Sequence, residues 1–406
     1  MQFDRRTLIA SAGLGLAGGA FAAAERMADL RLPGGPSARP LLPRFPQKGE
    51  MIVQRVRPPL LETPFDVFDS GTITPNDRHF VRWSGGAMPT MVDVSAFRLN
   101  VRGGVKAPLS LSLAELLRSG EHVEVVAVNQ CAGNSRGFSQ PRVTGTQWGH
   151  GAMSNARWRG VRLRDVLDKA GIGGDAKRVR FAGLDVPMIE GAPQKIKSLP
   201  IDISRRDDVL IAFAMNGEAL PLLNGFPLRL VVPGWFATYW IKMLTDIEVL
   251  TVDADDSYFM AKSYRMPTVP VKPGDKDFPT VPITTMGPRS WVTSHADGTA
   301  IPAGRPVELR GIAFGGDCGV KRVEIDIWKE AIEPSMRREV ASLGPEDGQF
   351  GFRRWTIELE VPSVYRAVTV GGLCTNTSGV TQPTGQTWNP SGYARNVVER
   401  ITLKVV

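Results

Sequence analysis

The stretch V-E-V-V-A-V-N-Q-C-A-G-N-S-R-G, Val123 to Gly137, decides how this chain is read. Apolar residues from Val123 to Val128 predict a buried strand, and the polar, glycine-containing run after them cannot continue it. Cys131 therefore sits just past a strand end, where a thiolate can be presented. Arg136 follows five residues later and puts a guanidinium on the same loop. Taken alone, a cysteine at the end of an apolar strand reads as inert core, so the rest of the chain has to decide.

The chain has 406 residues, 42% hydrophobic and 22% charged, which is enough for substantial cores and too long for one ordinary domain. Its 49 Lys+Arg against 41 Asp+Glu give +8, a balance that suits an anionic substrate or an acidic protein partner. The basic residues are scattered and no helix-turn-helix, zinc-finger or RNA-binding motif accompanies them, which excludes a nucleic-acid reading. Cys131, Cys318 and Cys374 are too few and too far apart for a zinc site or a disulfide scaffold. Cys318 and Cys374 could pair in an oxidising compartment, but read more simply as small buried apolar residues. With four histidines and no C-x-x-C-H, the sequence carries no c-type haem motif.

Residues 1–24 hold Arg5-Arg6 ahead of a Gly/Ala-rich apolar run and small-residue cleavage sites. This predicts a twin-arginine export signal and a periplasmic mature protein rather than a membrane-spanning helix. Residues 25–74 read as an extended arm without chemistry, with Pro33, Pro36, Pro40, Pro43 and Pro46 breaking regular elements. Residues 75–266 hold every chemical motif. Among them, Leu111 to Leu117 predicts a capped helix, Asn155 to Leu167 an amphipathic helix and Val179 to Ala182 a strand. His150, between glycines, reads as a solvated loop residue. A proline-rich linker occupies 267–282, and the short alternating segments of 283–406 predict an antiparallel β-sandwich.

Five blocks in order resemble the sulfite oxidase family of molybdenum enzymes: Phe80-Val81-Arg82-Trp83-Ser84, the Cys131 loop, Gly183-Leu184-Asp185, Asn224-Gly225-Phe226-Pro227-Leu228-Arg229 with Trp240-Ile241-Lys242, and Gln382-Pro383 with Thr387-Trp388-Asn389-Pro390-Ser391-Gly392-Tyr393. The resemblance implies an α+β fold, a mixed α/β molybdopterin-binding domain followed by an immunoglobulin-like sandwich. It implies a molybdenum–molybdopterin cofactor whose metal is bound by Cys131. Phe80, Val81, Arg82, Trp83, Ser84, Asp185, Asn224, Arg229, Trp240, Ile241 and Lys242 would contact that cofactor, with Arg229 and Lys242 at its phosphate. Ser84 and Asn224 stand where the family carries histidines. Arg82 and Arg136 would hold the oxyanion, with Arg400 as a further candidate. Tyr264, preferred over Tyr239 and Tyr258, would place a phenol beside the metal.

The activity implied is periplasmic oxidation of sulfite to sulfate. Electrons would pass to a c-type cytochrome or haem subunit, and the sandwich would form a homodimer or a heterodimer. The alternatives are a molybdenum-dependent protein methionine sulfoxide reductase, which shares the cysteine loop, another oxyanion oxidoreductase, or a non-catalytic exported scaffold.

Overall fold

The computed structural model describes residues 26–84, 87–329 and 335–406. The expected export signal, 1–24, lies outside the described residues. Three sheets build the N-terminal part. The first runs Met27–Asp29, Ala38–Leu42, Met51–Arg55, Leu60–Glu62 and Val81–Arg82 in sequence order, antiparallel at each step. The segment expected as a formless arm thus supplies four of these five strands. Pro40 is tolerated because its strand is short and only partly buried.

The strand expected at Val123 extends over His122–Gln130 and pairs with Met153–Arg162, which pairs in turn with Leu210–Met215. Its first half alternates in burial and its second half is buried throughout. The reason is that the C-terminal half of the chain closes on it: the Val128 amide donates to the Phe350 carbonyl at 2.8 Å. Trp158, fully buried on the partner strand, donates its indole N–H to the Ala127 carbonyl at 3.1 Å. The helix expected over Asn155 to Leu167 is therefore a correction: Met153–Arg162 is strand and only Leu163–Ala170 is helix. Cross-strand pairing on both edges overrides the helical spacing of the apolar residues. The remaining sheet joins Lys197–Pro200, Arg178–Gly183, Leu244–Leu250, Leu99–Gly103 and Leu109–Leu111. Ser112 caps the short helix Leu113–Leu117 through a capping box with Glu115.

Two further sheets form the C-terminal module, one of four strands and one of five. Trp355, Leu309, Ile325, Val370 and Leu403, drawn from both sheets, share one core. Cys374 is buried there, Cys318 is partly exposed, and both are free thiols. The molecule is sheet-rich with few helices, more so than a mixed α/β expectation suggests; Leu163–Ala170, of eight residues, is the longest helix among the described residues. A separate apolar cluster joins the two parts: Val128, Ala132, Met153 and Tyr264 pack with Met286, Trp291, Phe314 and Phe352. An apolar contact of this kind fixes the two parts relative to one another.

Candidate active site

Cys131 is the first residue after its strand, 7% exposed, its amide donating to the Ala152 carbonyl at 2.9 Å. The loop then tightens through Gly133 and Ser135 into a short 3-10 turn at Arg136–Phe138. A Cβ on Gly133 would lie 2.5 to 2.7 Å from the Arg136 guanidinium, so the loop can fold the arginine back only because that residue is glycine. Ser135 takes a left-handed conformation, φ +65°.

The sheets converge on a deep cleft lined by Phe80, Val81, Arg82, Ser84, Cys131, Asp185, Asn224, Arg229, Trp240, Ile241, Lys242 and Tyr264. Residues from five separated stretches of sequence thus line one cleft. Trp83 is the exception among the expected cofactor contacts. It packs with Met51, Val53 and Leu61, donates its indole N–H to the Leu223 carbonyl at 3.0 Å, and supports Lys242, whose ammonium lies 4.5 Å from its ring centre. A second cavity of about 230 Å³ adjoins the cleft and is lined by Arg82, Cys131, Arg136, Trp148, Tyr264 and Tyr393. Arg136 donates to the carbonyls of Ser391 (2.8 Å) and Thr146 (3.1 Å), which fixes its head at this second cavity.

Arg400 does not reach either cavity: it is exposed on the strand Arg400–Val405, with its guanidinium over the Trp328 ring at 4.5 Å. The alternation of that strand sends it to the solvent side. Tyr258 is 48% exposed and Tyr239 is buried against Trp235 at 4.8 Å, so of the three candidate tyrosines Tyr264 is the one at the cavities. His150 is not solvated. It stacks on Phe138 at 4.2 Å and its Nδ1 is 2.7 Å from Ser135 Oγ. Burial, with Arg289 and Arg395 nearby, pushes its pKa down to about 4, against the opposing pull of Glu399.

Several functional positions escaped the sequence reading. Lys195 lines the cleft, its ammonium 4.2 Å from the Tyr264 ring centre and 4.4 Å from that of Phe259, donating to Thr238 Oγ1 at 2.7 Å. Its signal was the K-I-K run entering a buried strand, Lys195 to Lys197. Lys48, from the segment read as chemically silent, donates to Asn224 Oδ1 (2.6 Å) and to the carbonyls of Asn76 (2.6 Å) and His79 (2.9 Å). Nothing in the sequence marked it. Asn129 accepts from Arg229 Nη2 at 2.9 Å.

The charge balance of the cleft says what it holds. Arg82, Lys195, Arg229 and Lys242 line it with a single carboxylate, Asp185, and Lys48 stands behind them. Burial drives the pKa of Lys48 down to about 7 and that of Arg229 down to about 9, and pushes Lys195 and Lys242 in the same direction. Such a group of buried cations calls for an anionic occupant. Arg229 Nε and Asn129 Nδ2 are buried without hydrogen-bond partners, two donors waiting for acceptors. Among the described residues there is no group of three or more His, Cys, Asp or Glu able to hold a metal, so a metal here relies on the Cys131 thiolate and on sulfurs brought by a cofactor.

Residues 85–259 match the family model of the oxidoreductase molybdopterin-binding domain. The sulfite oxidase of Gallus gallus is 35% identical over 348 residues, which cover 81% of this chain and 72% of that protein. The chain belongs to the sulfite oxidase family of molybdopterin oxidoreductases. The mitochondrial sulfite oxidase of Rattus norvegicus is 31% identical over 366 residues, covering 86% of this chain, which spans 65% of that relative's length. Plant nitrate reductases also match, at 29% identity. The fold is that of the sulfane dehydrogenase SoxCD from Paracoccus pantotrophus, with a TM-score of 0.70 and 22% identity over 99% of this chain and 93% of that one. As in this sulfite oxidase family, the cofactor is molybdenum–molybdopterin, and the cationic cleft beside Cys131 fits it: an anionic pterin phosphate meets buried cations, and a soft metal meets a thiolate.

Proposed function

We propose that this chain is a sulfite dehydrogenase, oxidising sulfite with water to sulfate, two electrons and two protons. The observation that carries the reading is the cavity in which Cys131, Arg82, Arg136 and Tyr264 meet. Cys131 would hold the metal, Arg229 and Lys242 the pterin phosphate, and Asp185 the pterin N–H groups. The bound molybdenum–pterin group supplies the oxygen transfer and takes up the electron pair.

The chain's own residues do the rest. Arg82 and Arg136 present planar forks of donors to a sulfur oxyanion and orient it by charge-assisted hydrogen bonds. Burial pushes the Tyr264 phenol up to about 12, against the lowering pull of Arg82, so it remains a proton donor at neutral pH. Trp148, Tyr264 and Tyr393 wall part of the cavity with rings, and their low polarity strengthens the ionic contacts beside them.

Electrons would leave singly to a c-type cytochrome or haem subunit outside the chain, since the sequence carries no haem-attachment motif. The twin-arginine pair at Arg5-Arg6 supports a periplasmic location. The two C-terminal sheets support an immunoglobulin-like module that pairs with a second copy or with the haem subunit.

The test is sulfite-dependent reduction of cytochrome c by the purified protein, with molybdenum measured on the same sample. Turnover should require the metal, and Cys131→Ser should lower it by at least about a hundredfold. Nitrate and methionine sulfoxide, offered with a reduced dye, form the companion assays. Metal-loaded protein that turns over either of these and not sulfite would sink the proposal, and properly folded protein devoid of molybdenum would favour a scaffold.

A further inference from the structure

The two guanidiniums at the second cavity are linked through two tyrosine rings. The Arg82 head lies 5.8 Å from the ring centre of Tyr264, Tyr264 stacks on Tyr393 at 5.3 Å with 16° between the planes, and the Arg136 head lies 5.1 Å from the Tyr393 ring centre. The result is a cation–ring–ring–cation stack, and all four members line the same cavity. Negative ring faces toward both cations offset the repulsion between them.

We propose that Tyr393, supplied by the C-terminal module, is a specificity-determining residue: its ring is a spacer, held between the Arg136 head and the Tyr264 ring on which Arg82 lies, and so sets the size of oxyanion the cavity holds. The inference rests on reading this cavity as an oxyanion site. The local structure holds the spacer firmly. Asn389 Oδ1 accepts from the amides of Ser391 (3.1 Å) and Tyr393 (3.0 Å), and Asn389 Nδ2 donates to the Tyr393 carbonyl at 2.7 Å. The next amide, of Ala394, donates to the carbonyl of Ala132 beside the thiolate at 2.8 Å. Gly392, at φ +57°, lets the loop press on Arg136: a Cβ there would lie 2.7 Å from the arginine's Cγ.

The other half of the stack is also constrained. Tyr264 is 6% exposed and sits at φ +56°, a conformation that a bulky aromatic residue adopts only when its surroundings enforce it. Its carbonyl is tied to the Ile283 amide at 2.9 Å, so the second ring cannot slide away from the first. The same contacts place the substrate gap partly in the hands of a module that contributes nothing to the cationic cofactor cleft.

Sulfate binding by calorimetry, with sulfite KM and kcat, on molybdenum-loaded wild type, Tyr393→Phe and Tyr393→Leu tests the idea. Tyr393→Phe keeps the ring and should stay within about twofold of wild type in every quantity. Tyr393→Leu should weaken sulfate binding and raise the sulfite KM by about tenfold, change kcat far less, and narrow the preference for sulfate over the larger thiosulfate. Molybdenum content and melting temperature should hold. A merely structural tyrosine would instead lower those two and leave the anion preference alone.

Unchanged sulfate affinity and preference in loaded Tyr393→Leu would overturn the inference. Should that variant not fold, Tyr393→Trp, with its broader ring, must still alter the sulfate-to-thiosulfate preference, and an unaltered preference overturns the idea equally. A wild type that binds sulfate without oxidising sulfite defeats the proposed reaction and leaves the spacer standing, whereas a wild type that binds no sulfate defeats the spacer.

Discussion

At the scale of single residues, this site is a set of buried groups held in uncomfortable states. His79 is fully buried and its pKa is forced well below 6.5, first by burial and then by Lys48 and Arg229. His150 is driven to about 4 by the same main cause. Both native histidines thus bind fewer protons than the unfolded chain as pH falls below 6.5. Their contribution is present above pH 6.5 and is lost as pH falls toward 4, by up to about 3 kcal/mol for His150 before any allowance for its residual exposure. Thermal melts from pH 7.5 to 4 should show this loss, and His150→Gln should flatten the slope; an unchanged slope would put the acid sensitivity elsewhere. Tyr264→Phe removes a donor that stays protonated at neutral pH, and kcat for sulfite should fall by roughly ten- to a hundredfold with little change in molybdenum content. An unaffected kcat would show that the phenol plays no part.

At the scale of elements, the site is held from both ends of the chain. From the C-terminal module, Arg289, 1% exposed, donates to Ser135 Oγ at 3.0 Å and to Glu399 Oε1 at 3.2 Å, while Arg395 pairs with Glu399 at 2.9 Å. Arg289→Met leaves Glu399 less compensated and Ser135 without its donor. Stability should drop by about 3 kcal/mol, and the Cys131 loop should retain less molybdenum; denaturant melts and metal analysis measure both. A stable, fully loaded variant would mean the cluster is ornamental. From the loop between Ala38–Leu42 and Met51–Arg55, Lys48 reaches Asn224 and two carbonyls. Lys48→Met strips one donor from three buried or half-buried acceptors and should cost about 1–3 kcal/mol by the same denaturant measurement. No loss would mean that water serves those acceptors equally well.

At the scale of the whole molecule, the cationic cleft and the second cavity are built by different combinations of parts. Cys131, Arg82 and Tyr264 line both, but Tyr393 comes from the C-terminal module and borders only the second. The joint between the parts buries Phe352, Phe314 and Trp291 against Val128, Ala132 and Tyr264. A large apolar side chain fully buried contributes about 1.5–3 kcal/mol, so removal of residues 283–406 would expose enough apolar surface to undo the N-terminal part. Such a truncation should yield aggregated or cofactor-free protein, readable by size-exclusion chromatography and metal content. A monomeric, molybdenum-loaded fragment would show the module to be dispensable for the site.

Sequence alone was enough for the local grammar: a strand from Val123 that ends before Cys131, the polar loop that breaks it, the capped turn at Ser112 and the order of the motif blocks. These are readable because burial periodicity and capping depend on near neighbours. Most cleft residues were legible too, since each sits in a block of distinctive composition. Tertiary structure decided what periodicity could not. Met153–Arg162 became strand because two neighbours offered hydrogen bonds, Trp83 turned into the core, and Arg400 turned to solvent. Lys48 joined the site from a segment that carries no local mark, Lys195 from a K-I-K run and Tyr393 from the end of the closing motif block, and in neither of the last two does the pattern say where the side chain goes. A lone lysine or tyrosine looks the same in sequence whether it faces water or a buried anion, and only the packing of distant strands settles which.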